Sequence, residues 1–211
     1  MHVQKFTFNP FQENTYVLHA AGEGIIVDPG CSDQNEQREL EGWLEANGVR
    51  PIRLLLTHAH IDHVMGCARL KERYGLRPEL HRNDLQILEA AELQASMFGV
   101  RCDAPPAPAR FIGEGEVITL GNEHLDVLFV PGHAPGHIAF YNPKQHFILS
   151  GDVLFHRSVG RTDLPGGDMD TLVQSIRTQL YTLGDDITVY SGHGPETEIG
   201  EERRENPFVG G

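Results

Sequence analysis

The sequence predicts an α/β fold built in two halves, and three observations carry that prediction. Short apolar strands alternate with amphipathic helical stretches, as they do in α/β units. The same rhythm returns in the second half, although no residue-level repeat accompanies it. Between the halves lies a stretch over residues 98–110 whose prolines at 105, 106 and 108 break any periodicity and mark the boundary.

Residues 3–8, 15–19 and 24–28 are short, partly alternating runs separated by Asn9-Pro10 and Ala21-Gly22, the pattern of a β-meander. After Asp33, Leu40, Trp43 and Leu44 recur at helical spacing before Gly48, which predicts the first helix. A buried strand at 51–57 follows, then a helix at 64–74 closed by Gly75, a strand at 78–81 and a helix at 83–97. Past the prolines, strands are expected at 117–120, 125–130, 138–141, 147–150 and 187–191. Asp168 caps a helix whose Met169, Leu172, Val173, Ile176, Leu180 and Leu183 form one face, read as core, and residues 197–204 supply a last short helix.

The chain's 211 residues fit one compact domain, because single cores stop growing near ~250–300 residues. Thirty acidic against seventeen basic residues give a net charge of −13, which opposes phosphate backbones and anionic membrane surfaces. No nucleic-acid or membrane partner is therefore expected, and the longest aliphatic runs fall far short of the ~18 residues that span a bilayer. The first residues lack the basic and apolar regions of a secretory signal, so the expected compartment is the cytoplasm. Cys31, Cys67 and Cys102 are scattered without a C-x-x-C, so neither a disulfide framework nor a cysteine zinc site is indicated. Cys67 reads as a small buried thiol, and the turn Asp28-Pro29-Gly30 before Cys31 is expected on the outer rim of the site described next.

Histidine, at twelve, carries the chemistry. His58-Ala59-His60-Ile61-Asp62-His63 places four potential metal ligands at one strand-to-helix turn. His58 and His60, two apart in extended chain, point to one side, while Asp62 and His63 enter the helix and turn toward a neighbouring point, so one loop can serve two adjacent metals. His133, Asp152 and His193 each follow a glycine just beyond an apolar strand, where the chain can turn sharply toward a metal. Nitrogen and carboxylate donors suit zinc, iron or manganese.

In this order the residues resemble the metallo-β-lactamase superfamily, with its H-x-H-x-D-H motif, later His, bridging Asp and final His; the resemblance covers nearly the whole chain. It implies a four-layer αβ/βα sandwich with the site at one edge. It also implies His58, His60 and His133 on a first metal, Asp62, His63 and His193 on a second, and Asp152 bridging both with a water or hydroxide. Asp62 has another reading, orienting the nucleophile without ligating.

Residues 9–16, 133–137 and 150–155 are similar to the glyoxalase II-like, hydroxyacylglutathione hydrolase-like branch. That resemblance implies a binuclear thioester hydrolase with two divalent ions, zinc foremost and iron or manganese as alternatives. Its small-molecule substrate would be S-lactoylglutathione or a related hydroxyacyl thioester, attacked by the bridging hydroxide, with Asp62 or Asp152 taking the proton. Arg161 matches a position that contacts a glutathione carboxylate, its other reading being a surface pair with Asp163 or Asp168. Two departures stand out: Gly194-Pro195 follow His193, and residues 1–211 read as one hydrolase domain without the branch's C-terminal helical domain. Gly160 to Asp163 also resemble persulfide dioxygenases, which would hold one iron on His58, His133 and Asp152. A metal-binding module without turnover is the third reading. Beside the ligands, His137 could support a donor, Phe11 wall the pocket and Tyr16 belong to the core.

Overall fold

A computed structural model describes residues 1–211. The first sheet opens as an antiparallel meander of β1 (His2–Phe8), β2 (Glu13–Ala20) and β3 (Glu23–Val27). It continues with β4 (Arg50–Leu55), β5 (Pro78–Leu80) and β6 (Arg110–Phe111), each parallel to the strand before it. In the second half come β7 (Val117–Leu120), β8 (Glu123–Phe129), β9 (Ile138–Asn142), β10 (Phe147–Gly151), the small hairpin β11 (Leu154–Phe155) and β12 (Ser158–Val159), then β13 (Thr188–Ser191) and β14 (Thr197–Glu198). The second sheet orders these as β14-β13-β10-β9-β8-β7, with β10 and β13 the parallel pair.

Alternation along each strand sorts side chains to opposite faces. Leu18, Ile25, Val27 and Leu55 of the first sheet meet Leu125, Val127, Ile138, Phe140 and Leu149 of the second, forming one core between the sheets. The intervening Val17, Ile26 and Leu54 turn outward onto α1 (Gln34–Ala46), α2 (Ile61–Val64), α3 (Cys67–Tyr74), α4 (Leu85–Glu89) and α5 (Ala91–Phe98). On the far side, Ala139, Ile148 and Val189 pack against α6 (Met169–Ser175), its continuation Ile176–Leu180, and α7 (Ile199–Glu205). The layers therefore run helix, sheet, sheet, helix, the αβ/βα sandwich that the resemblance implies. No helix is long and apolar enough to cross a membrane.

Four expectations need correction. The helix at 64–74 is two, because Gly66 is pinned between them: its N–H donates to the Pro29 carbonyl at 2.7 Å, and a Cβ there would lie 2.5 Å from Cys31 Sγ. The helix at 83–97 likewise breaks, at Ala90 between α4 and α5. Met169, first residue of α6, is 40 % exposed and lies outside the core that Leu172, Ile176 and Leu180 enter. The proline stretch does not divide the halves either, since the first sheet gains β6 after it; the crossing to the second sheet comes between β6 and β7.

Candidate metal centre

Both sheets deliver their donors at strand ends. Beyond β4, Thr57 gives its N–H to Asp28 Oδ1 at 2.7 Å and its hydroxyl to Asp28 Oδ2 at 2.6 Å, which ties the histidine-bearing loop to the end of β3. Asp84 accepts from Ala59 N at 2.9 Å and also from Gly136 N, joining that loop to the one that carries His133. Burial pushes the Asp84 carboxyl up to about 6 against those two backbone donors.

Asp152 and His193 leave the parallel neighbours β10 and β13, the place where open α/β sheets gather functional groups. The two strand ends nearly touch. A Cβ on Gly192 would stand 2.1 Å from Asp152 Oδ1, and Gly151, with φ of +52°, would bring one to 2.4 Å from Thr57 Oγ1, so both positions demand glycine.

Two donor sets result. In the first, His133 Nε2 lies 2.8 Å from His60 Nδ1 and 3.2 Å from His58 Nε2. In the second, Asp62 Oδ2 lies 3.1 Å from His193 Nε2 and 3.7 Å from His63 Nε2. Asp152 faces both: its Oδ2 is 3.6 Å from His133 Nε2 and 3.5 Å from His193 Nε2, and its Oδ1 is 3.4 Å from His63 Nε2. All seven residues singled out as ligands are thus brought together around two adjacent points.

In His58, His133, His63 and His193 the other ring nitrogen is occupied, which aims the free one inward. His58 Nδ1 meets Thr57 Oγ1 at 3.1 Å; that hydroxyl already donates to Asp28, so the ring supplies the proton. His133 Nδ1 donates to the Arg161 carbonyl at 2.7 Å, His63 Nδ1 to Asp28 Oδ2 at 3.1 Å, and His193 Nδ1 to the Phe11 and Gln12 carbonyls, both at 3.1 Å. Asp28 also lies close enough to His58 and His63 to form a third possible donor group, but it serves the back of the His63 ring.

Cations fit this constellation. His63 Nε2 and Asp152 Oδ1 are buried without a hydrogen-bond partner, a costly arrangement that a shared cation resolves. Burial holds the first set neutral, keeping His58 well below the ordinary imidazole value, bringing His60 down to about 3 and lowering His133, so their lone pairs are free to ligate. At the second point burial acts in the same direction, but the Asp152 and Asp62 carboxylates outweigh it, raising His63 well above its usual value and His193 to about 10. A field that attracts a proton so strongly attracts a divalent cation as well.

Asp28 and Glu13 escape sequence reading, whereas His137, Tyr16 and Phe11 stand where the sequence placed them. The Asp28 turn is not on the outer rim, since Asp28 is 2 % exposed and lies directly behind His63. Glu13 is wholly buried with Oε1 3.9 Å from His63 Nδ1, and burial keeps its carboxyl well above the usual range. His137 takes the Asp152 N–H on Nε2 at 3.1 Å and stacks 4.6 Å from His58, which places it behind the donors. Tyr16 is core, and its hydroxyl donates to the Ser191 carbonyl at 2.7 Å. Phe11 does line the open pocket of about 400 Å³ over the centre, beside Phe98, Phe155 and Arg161. The Arg161 guanidinium itself is held by Asp163, at 2.6 and 2.7 Å.

The chain is similar in sequence and fold to known proteins. The family model described as metallo-beta-lactamase superfamily matches residues 8–193. Hydroxyacylglutathione hydrolase GloC of Haemophilus influenzae is 37 % identical over 99 % of this chain and 98 % of its own. Among solved structures, TTHA1623 in a di-iron-bound form is 41 % identical with a TM-score of 0.89, covering 98 % of this chain and 100 % of its own. BLEG-1, titled a B3 metallo-beta-lactamase, is 33 % identical with a TM-score of 0.90 and full coverage of both chains.

Proposed function

The chain belongs to the metallo-beta-lactamase superfamily and is a metal-dependent hydrolase, as its relatives' names of metallo-hydrolase and hydroxyacylglutathione hydrolase support, and from that premise we propose that it is a binuclear thioester hydrolase acting on S-lactoylglutathione or a related hydroxyacyl thioester. The observation that carries the proposal is the Asp152 carboxylate, set between two complete donor groups with an oxygen toward each. His58, His60 and His133 would hold one divalent ion, Asp62, His63 and His193 the other, and Asp152 both; zinc is the ion we favour, with iron or manganese compatible with the same donors. When bound, such a pair supplies a water ionised at neutral pH and a Lewis acid for the carbonyl under attack.

The chain's own residues do the rest. Asp62 or Asp152 would accept the proton given up at the nucleophile, both being carboxylates at the centre that stay ionised; burial pushes each pKa up, and His63 and His193 more than reverse it. Phe11, Phe98 and Phe155 restrict water around the ester. Arg161, on the pocket wall, can trade its Asp163 partner for a substrate carboxylate in a two-pronged grip. A thiolate leaves readily and needs no strong general acid.

A one-iron persulfide dioxygenase would use only His58, His133 and Asp152 and would leave four converging donors idle, so the geometry favours two cations. GloC's name lends support to the hydroxyacylglutathione class. The deciding experiment combines metal analysis of the purified protein with thiol release from S-lactoylglutathione, penicillin hydrolysis, and oxygen uptake with glutathione persulfide. Close to two metals per chain with thiol release is expected. One iron with oxygen uptake, β-lactam turnover without thiol release, or bound metal without any turnover would each overturn the reading.

A further inference from the structure

The metal pocket adjoins a second chamber. This cavity, about 430 Å³, lies over the α4–α5 elbow and shares His60, Gln94, Phe98 and Leu164 with the first. Its wall is built from Ile87, Met97, Phe98, Leu164 and the neutral amides of Asn83, Gln86 and Gln94; no Lys, Arg, Asp or Glu lines it. Helix α5 buries only Ala91 and Ala95, so its larger apolar side chains are not used by the core: Met97 is 77 % and Phe98 47 % exposed. Phe98 packs edge-on against Phe11 at 5.8 Å, making one aromatic wall that continues from the metal pocket into the chamber.

We propose that this second chamber is an acyl subsite, and that the enzyme prefers thioesters whose acyl limb is longer and more apolar than lactoyl. The inference rests on the thioesterase reading above and assigns the two limbs of that substrate. A thiol limb bearing carboxylates would be desolvated in the chamber without a partner, whereas Arg161 lines the first pocket only. The apolar limb therefore lies over α4 and α5, and the charged limb lies toward Arg161. Ile87, Met97 and Phe98 become the residues that determine specificity.

The test uses the metal-loaded enzyme and glutathione thioesters of 2-hydroxy acids from lactoyl to 2-hydroxyhexanoyl, with non-hydrolysable S-alkylglutathione thioethers as binding probes read by calorimetry. Both kcat/KM and thioether affinity should rise roughly threefold per added methylene. Ala90→Trp, which fills the chamber, should cut the hexanoyl-to-lactoyl ratio of kcat/KM at least tenfold. The solvent-exposed change Met97→Ala should lower the same ratio by a smaller factor and does not threaten folding. Hydrolysis of the lactoyl ester with no dependence on chain length would overturn the subsite and leave the thioesterase reading intact. Length-dependent thioether binding without hydrolysis would support the subsite and remove that reading. A rate that rises when glutathione is exchanged for neutral pantetheine at constant acyl group would overturn the assignment of limbs.

Discussion

Asp152 is the residue on which the centre turns, because a single carboxylate stands between both donor sets. Asp152→Ala should lose metal and activity together; full metal content with normal turnover, measured by elemental analysis and thiol release, would contradict the bridging role. Behind the ligands, Asp28 accepts from Thr57 and from His63 Nδ1, so it orients two rings through one side chain. Asp28→Asn should weaken cation affinity by about 10–100-fold, read by competition with a chelator, while the fold survives. The four donors at 58–63 could be read from the sequence because their density at one turn has no packing explanation, and His133, Asp152 and His193 because each follows a glycine beyond an apolar strand, in the order that the resemblance implies. Asp28, Glu13 and Thr57 could not: a lone carboxylate or hydroxyl beside an apolar run gives no sign of which ring the fold will bring against it.

The elements contribute by fixing strand ends. Strand β5 has only three residues, yet it joins β4 to β6 with help from Glu79, whose carboxylate takes a two-pronged grip from Arg53 on β4 and a further bond from Arg110 on β6. Burial works to raise the Glu79 carboxyl, but the two guanidinium groups outweigh it and hold the folded value below the ordinary 4.5. A depressed carboxyl contributes stability that is present above the unfolded value and lost as pH falls through the folded one. The difference in stability between the native protein and Glu79→Gln should therefore shrink as pH drops below about 4.5; a constant gap in urea melts between pH 3 and 6 would refute the role. Strands and helices with strong periodicity were legible, whereas the breaks at Gly66 and Ala90 and the hairpin β11–β12 were not. Gly66 shows why: its constraint is Cys31 on another loop, which no local pattern records.

At the scale of the molecule, stability resides in the face where the two sheets meet. Phe140 is fully buried there, and Phe140→Ala should cost about 3–5 kcal/mol and lower the melting temperature without altering any donor. Loss of metal before loss of fold in that variant would place the weak point elsewhere. The two-layered rhythm of the sequence anticipated this arrangement, but it missed where the halves part, because β6 is too short to leave a periodic trace. One link spans nearly the full chain. The Asn14 side-chain amide donates to the Ser191 and Gly194 carbonyls, 177 and 180 residues away, and so clasps the turn that presents His193. Consequently the Asp62, His63 and His193 group is closed by a contact between the two extremities of the polypeptide, and only a nearly full-length chain can complete it.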